Sequence, residues 1–261
     1  MPRSPVAVLG GTFDRFHVGH AALLTTAFRV GRSVAIGLTT PEYLAEHPKP
    51  VGEAIQPYAT RRRALQRWLA RHYPRRTYRV VPLGNRFGRS VEDGVDVLVV
   101  SADTVAGARA VNAERRRRGR RPLPLVVVPI VLADDLGPVS SRRIRAGAID
   151  RWGHRRAPIR VGLGAGASDR AAASRGIRRA FPAATVVVDR APGRASADAR
   201  AAARAALGDR PIALGVVRRG PRQWSVAVRA PGIALAARSV RGNLAAGVAR
   251  LLTPQPGRKP F

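Results

Sequence analysis

From Val6 onward, short unbroken apolar runs alternate with stretches of helical periodicity, and few folds accommodate that alternation. Val6–Leu9, Val34–Leu38, Tyr78–Leu83, Val95–Val100 and Leu125–Val131 read as strands. Segments from about His17 to Arg29, Tyr58 to Arg71 and Ala102 to Arg117 read as helices. Leu65, Trp68 and Leu69 fall on one stripe of the second, and Gly31 is placed to end the first. Strands that are apolar at every position are buried on both faces, so the expected class is α/β, a parallel sheet covered by helices. Such a sheet binds ligands beyond the carboxyl ends of its strands, where strand order reverses.

Ile149 to Pro158 carries little apolar periodicity, and a second strand–helix series follows it. It reads as strand 159–163, helix 168–180, strand 185–188, helix 197–207, strands 212–217, 224–229 and 233–237, and helix 243–252. Two domains are expected, residues 1–153 and a smaller α/β domain at 159–253, with a loose proline-bearing tail at 254–261. A chain of 261 residues that is 45% hydrophobic can bury two modest cores. No apolar run approaches the roughly 20 residues of a membrane helix. The amino terminus lacks a secretory pattern and the chain has no cysteine, so a cytoplasmic protein is expected.

The formal charge is +31, which attracts polyanions without specificity. The basic side chains are nevertheless spread out: residues 1–150 hold 25 Lys+Arg against 12 Asp+Glu, and residues 151–261 hold 22 against 4. Only Lys49 and Lys259 are lysine, which marks a chain-wide preference for arginine rather than a clustered footprint. No specific nucleic-acid partner is expected. The run Arg115–Arg118 with Arg120 and Arg121 reads as a solvated helix end.

The most informative stretch is Gly10-Gly11-Thr12-Phe13-Asp14-Arg15-Phe16-His17-Val18-Gly19-His20. It lies where a strand ends and a helix begins, so unpaired amides and the helix dipole favour an anion there. Gly10 and Gly11 let the backbone approach phosphates closely. His17 and His20 share one helix face, and Gly19 between them leaves room for a nucleotide. Two histidines at a phosphate site suit nucleotidyl transfer, in which positioning and charge stabilisation supply most of the acceleration.

This string is the signature of the HxGH nucleotidyltransferase superfamily, to which class I aminoacyl-tRNA synthetases also belong, and it implies a Rossmann-like sheet. Residues 5–153 resemble the archaeal and eukaryotic type of phosphopantetheine adenylyltransferase. The likeness is carried by GLTTPEYL (37–44), Lys49, PYATRRRAL (57–65), FG (87–88), VVSADT (99–104), Asn112 with Arg115, and VSSRRIRAGAIDRWG (139–153). The resemblance implies that ATP and 4′-phosphopantetheine become dephospho-coenzyme A and pyrophosphate, with Mg²⁺ entering on ATP and no metal ligands from the protein. It implies that Thr12 and Lys49 hold the attacking phosphate. His17 and His20 would hold ATP phosphates, with His20 stabilising the transition state. Ser140, Ser141 and Arg143 would clamp the β- and γ-phosphates. Gly10, Gly11, Phe13, Asp14 and Gly19 would frame the nucleotide, and Ser101, Asp103 and Thr104 would line its pocket. Arg61 and Arg115 are open between phosphate or adenine contacts and a solvated face. The family has Thr after the two serines where this chain has Arg142, which adds a positive charge.

The second half is similar to the opening of the inosine/xanthosine triphosphatase family known as DUF84. That family's Ser-Thr-Asn-x-x-Lys loop is replaced by Ala165, Gly166, Ala167 and Arg170, and its Glu-Thr by Ser196-Ala197. After residue 160 the acids are Asp169, Asp189, Asp198 and Asp209, none at a metal-binding position of that family. A magnesium triphosphate needs oxygen ligands, so the expectation is a non-catalytic domain. Gly162, Gly164 and Ala167, with Asp189 ending the next strand, leave a dinucleotide site as a second reading. For the whole chain the alternatives are cytidylyltransferase or FAD synthetase chemistry on another acceptor, and a nucleic-acid-binding derivative without activity. Oligomeric state stays open, a homo-oligomer included.

Overall fold

A computed structural model describes residues 5–48, 55–181, 186–190, 198–207, 212–230 and 233–253. The tail at 254–261, Lys49 and Ser196-Ala197 lie outside the described residues. The chain divides into two units, the first made of residues 1–131 and 139–146, the second of 132–138 and 147–261. The chain therefore passes between units three times.

The first unit is built on β1 (Val6–Gly11), β2 (Ser33–Thr39), β3 (Thr77–Leu83), β4 (Val97–Ser101) and β5 (Leu125–Val128). They form one sheet in the order β3-β2-β1-β4-β5, and every pairing is parallel. Order reverses between β1 and β4, so the carboxyl ends of those two strands flank the crevice in which such sheets bind ligands. Helices α1 (Val18–Val30) and α3 (Tyr58–His72) cover one face. Their Leu24, Ala27, Phe28, Leu65 and Leu69 pack on Leu9, Ile36 and Val99. Helix α4 (Val105–Arg117) covers the other, where Ala108 and Val111 meet Val8, Ala35 and Leu98. Residues 102–104 form a separate 3₁₀ turn before α4.

Two short helices escape the periodicity of the sequence. Helix α2 (Pro41–Glu46) buries no residue and is held by its ends, with Thr40 accepting from the amide of Tyr43 and Pro41 at its first position. Helix α5 (Ser141–Arg145) is a single turn capped by Ser140.

In the second unit β6 (Ile159–Ala165), β7 (Val186–Arg190), β8 (Ile212–Gly220), β9 (Gln223–Ala230) and β10 (Ile233–Arg241) take the order β10-β9-β8-β6-β7. β6 runs parallel to β7 and β8, whereas β8–β9 and β9–β10 are antiparallel. Helices α6 (Ala167–Ala180) and α8 (Leu244–Leu252) bury Ile177, Val248 and Leu252 against Val161, Leu214 and Val226. Leu136, from the segment that precedes α5, is 1% exposed within this same core.

The other face carries α7 (Ala199–Leu207), which sits unusually close to the strands. A Cβ on Gly215 would lie 1.9 Å from the carbonyl oxygen of Ala199, and one on Gly164 would lie 2.6 Å from that of Ala202. Glycines on the sheet and alanines on the helix make this approach possible. Gly164 thus serves helix packing, and Asp189 pairs with Arg160.

Candidate active site

The β1–α1 turn is the centre of the site. His17 is the N-cap of α1 with extended backbone (φ −141°, ψ 172°). Its Nδ1 accepts from the amide of Gly19 at 3.2 Å, and Nδ1 of His20 accepts from the amide of His17 at 3.4 Å. The two histidines form the reciprocal capping box usually made by Ser or Thr with Glu, and so satisfy two free amides of the first turn. Their rings stack at 3.8 Å. Because Nδ1 of His17 accepts, the proton of its neutral ring resides on Nε2. Nε2–H is therefore the donor that the His17 ring carries.

Burial drives His17 down to a pKa of about 4, partly opposed by the Asp14 carboxylate. Its ring is neutral at physiological pH. Between about pH 6.5 and 4 the unfolded chain holds more protons on this ring than the folded chain does. Stability is thus fully present above pH 6.5 and falls as pH drops toward 4, by at most about 3 kcal/mol. Denaturant midpoints measured across that window should fall more steeply for the wild type than for His17→Gln. Parallel slopes would contradict the assignment.

The small residues around the turn have identifiable tasks. A Cβ on Gly19 would lie 3.0 Å from the His17 ring and 3.7 Å from the carbonyl of Val139, so the space beside Gly19 is filled by that imidazole. A Cβ on Gly10 would press on Leu83 at 3.0 Å, and one on Gly11 on the buried Phe13 ring at 3.2 Å. Phe13 and Arg15 both adopt left-handed backbone, φ 50° and 46°, on either side of Asp14. Asp14 is 1% exposed. One of its carboxylate oxygens accepts from the Gln56 amide at 2.9 Å and the other from Arg145 Nη1 at 2.6 Å.

Arg61 is also 1% exposed. Its Nε donates to Gln56 O, and Nη1 donates to the carbonyls of Thr12 and Thr39. It braces the ends of β1 and β2 from within. Arg115 donates to the carbonyls of Ser90, Glu92 and Arg121, while Asn112 exchanges two hydrogen bonds with the main chain of Leu123. This Asn–Arg pair ties α4 to its surroundings. The helical phase was the available signal: Arg61 is in step with Leu65 and Leu69, and Arg115 with Ala108 and Val111.

Helix α5 brings the late motif to the same place. Ser140 accepts from the amide of Arg143, and the Ser141 hydroxyl donates to the carbonyl of Asp14 at 2.6 Å. Arg142 is exposed at the start of this turn. Beyond β4, the Ser101 and Thr104 hydroxyls lie 3.0 Å apart, and Asp103 is exposed beside them. A cavity of about 160 Å³ opens at the carboxyl ends of β1–β4 on the α4 face, lined by residues that include Gly10, Gly37, Leu83, Phe87, Arg89 and Thr104.

A cytidylyltransferase-like family profile matches residues 8–147, which cover strands β1–β5 and the α5 turn. The phosphopantetheine adenylyltransferase of Methanothermobacter thermautotrophicus is 43% identical over 150 residues, 57% of this chain and 88% of that protein. The chain belongs to the cytidylyltransferase-like family, within its phosphopantetheine adenylyltransferase branch. The enzyme of that name from Pyrococcus horikoshii is 41% identical over 155 residues, 59% of this chain and 96% of that protein. A bifunctional phosphopantetheine adenylyltransferase/NTP phosphatase from Thermoplasma acidophilum is 40% identical over 159 residues, 60% of this chain and 47% of its own length. This cytidylyltransferase-like chain is therefore a nucleotidyltransferase enzyme, and the fusion of a second domain to such an enzyme has a counterpart among its relatives. Among the described residues no helix is long and apolar enough to cross a membrane.

Proposed function

We propose that the first unit transfers the adenylyl group of ATP to 4′-phosphopantetheine, a step of coenzyme A assembly in the cytoplasm. The observation that carries this reading is the His17–His20 pair, stacked in the first turn of α1 at the carboxyl end of β1 with each Nδ1 turned to the backbone. The names and identities of the relatives support the acceptor. An oxygen of the phosphopantetheine phosphate attacks the α-phosphorus, the bond to the bridging oxygen breaks, and pyrophosphate leaves. No covalent enzyme intermediate is required, and preorganised donors supply the acceleration. Thr12 and Lys49 hold the acceptor phosphate, His20 stabilises the charge developing at the α-phosphate, and Ser140 and Arg143 clamp the leaving pyrophosphate. Ser101, Asp103 and Thr104 line the nucleotide side of the crevice. The cavity floored by Leu83 and Val8, with Arg86 and Arg89 in its wall, has the mixed character a pantetheine arm needs.

Among the described residues no group of three or more His, Cys, Asp or Glu could hold a metal ion, and Asp14 spends both carboxylate oxygens on the protein. Mg²⁺ enters as part of the ATP complex. The test is pyrophosphate release by the purified chain with ATP and a panel of acceptors. Release is expected with phosphopantetheine. Release with FMN or a phosphorylated alcohol instead, or from CTP in place of ATP, would overturn the reading.

The second unit acts without hydrolytic chemistry of its own. Asp169 accepts from Trp224 Nε1 at 2.9 Å and pairs with Arg218, Asp189 pairs with Arg160, and Asp198 accepts from the amide of Ala201 in the first turn of α7. These carboxylates serve the fold. Hydrolysis of inosine triphosphate by the full chain should stay at background, and enzymatic turnover would refute this assignment.

A further inference from the structure

We propose that Leu83 and Gly107 form the mouth of the acceptor cavity and measure the bulk that an acceptor carries next to its phosphate. Leu83 is a fixed apolar sill on the sheet side, and the bare backbone of Gly107 is the clearance on the helix side. The class of acceptor selected is one whose phosphate ester leads to a branched apolar carbon rather than to a hydroxylated one. The proposal rests on the adenylyl-transfer reading, in which this cavity takes the arm of the acceptor.

The sill follows from strand alternation. Val8 and Ala35 face α4, where they meet Ala108 and Val111. Gly10 and Gly37, two positions further along the same strands, face the same way. These two glycines are paired in register at the carboxyl end of the sheet, so that end of β1 and β2 carries no side chain. Leu83, the last residue of β3, lies over both. A Cβ on Gly37 would lie 3.4 Å from three carbons of Leu83, and one on Gly10 would lie 3.0 Å from its Cδ2. Because the strand order is β3-β2-β1, Leu83 reaches across β2 to β1. On its other side, a Cβ on Gly88, whose φ is 49°, would collide with Leu83 Cδ1. Three glycines from three segments thus press on one isobutyl group, which leaves its methyls little room to move.

Gly107 stands in the first turn of α4, exposed. Among the described residues no heavy atom lies within 4 Å of where its Cβ would be, and its φ is outside the left-handed region. Neither crowding nor turn geometry asks for glycine there, and glycine weakens a helix relative to alanine. What Gly107 does border is the cavity, beside Thr104 and Ala108 and in company with Leu83. The deeper lining includes Val8, Ala35 and Leu98 from the middle of the strands. Gly10, under Leu83, is two residues before Thr12, which the proposed function assigns to the acceptor phosphate. An arm leaving that phosphate passes Leu83 before it reaches the deeper lining. In phosphopantetheine the carbon next to the phosphate-bearing methylene carries two methyl groups. It is the widest and most apolar part of the arm, and it meets the sill.

The experiment compares wild type, Leu83→Ala and Gly107→Ala with two acceptors, phosphopantetheine and an analogue with two ethyl groups in place of those two methyls. Preference is the ratio of kcat/KM for the dimethyl over the diethyl acceptor, measured by pyrophosphate release on folded protein. One methylene in an apolar site changes such a ratio by about tenfold or more. Leu83→Ala should lower the preference about tenfold and raise KM for phosphopantetheine, since it removes the sill. Gly107→Ala should raise the preference about tenfold, with the thermal midpoint raised by up to about 4 °C. ATP affinity, measured by calorimetry without acceptor, should stay within about twofold of wild type in both. A general loosening of the fold would not leave it so. An unchanged preference in Gly107→Ala would overturn the mouth, as would a loss of ATP affinity that accompanies the change. Should Leu83→Ala fail to fold, Gly107→Ala decides alone. If the wild type transfers to a different phosphorylated acceptor and not to phosphopantetheine, the acceptor reading fails. The same variants, assayed with that acceptor and a homologue bulkier by one carbon beside the phosphate, then still decide the mouth.

Discussion

His20→Ala is expected to lower kcat for pyrophosphate release by about 10²–10³-fold, the cost of deleting one preorganised donor to developing oxyanion charge. His20 sits in the first turn of α1, stacked on His17 and packed against Phe13 and Phe16 with ring centroids 5.1 and 5.6 Å away. Its ring has little freedom, so it is held in place before the substrate arrives. KM for ATP should rise far less than kcat falls, because the interaction strengthens as charge develops at the α-phosphate. The substitution also frees the His17 amide from its cap, a loss of about 1 kcal/mol in stability. His20→Asn restores an acceptor to that amide, so it should recover the midpoint of unfolding without recovering kcat. A kcat within a few fold of wild type for His20→Ala would remove His20 from the chemistry.

The second large effect is structural. Gly215→Ala places a methyl group 1.9 Å from the carbonyl oxygen of Ala199 and 2.5 Å from the amide nitrogen of Ala203, both backbone atoms of α7. No side chain can rotate away to admit it, so either α7 lifts off the sheet or the second unit unfolds. The expected cost is about 3 kcal/mol or more, at or above the upper range for overpacking. Gly220→Ala on the same strand is the control, since among the described residues its methyl would meet the Gln223 side chain alone, at 3.8 Å. Hydrogen exchange at the amides of β8 and α7 should accelerate in the first variant alone. Equal unfolding midpoints for the two variants would show that α7 is not seated as described.

Most of the architecture was legible because burial on two faces leaves an unmistakable mark. The strands β1, β2 and β4 are runs of Val, Ala, Leu and Ile with no polar interruption, and each was read to within about two residues of its ends. The apolar run of β10 stops at residue 237 because Arg238, Ser239 and Arg241 break it on the last strand of its sheet. Helices α2 and α5 left no periodic signal: the first buries nothing, and the second is too short to have a stripe. At the site, the glycine–histidine string announced an anion-binding turn, but not that the histidines cap the helix for each other. Composition hid the structural arginines. Arg61 stands in a run of three, and only its register with Leu65 and Leu69 separates it from the solvated Arg62 and Arg63. Arg145 could not be singled out, since its partner Asp14 is 131 residues away in the chain.

The course of the chain between Val131 and Gly147 limits how such a protein can be inherited. Residues 132–138 belong to the second unit, Leu136 being buried in its core, and residues 139–146 return to the first with α5. A module that evolution can exchange freely has one seam. Recombination downstream of residue 147 would leave Leu136 behind without its apolar neighbours, and recombination upstream of residue 132 would carry α5 away with the passenger. The second unit therefore cannot be discarded by simple truncation. That interleaving is reason enough for the second unit to persist in the reading frame whatever its own activity.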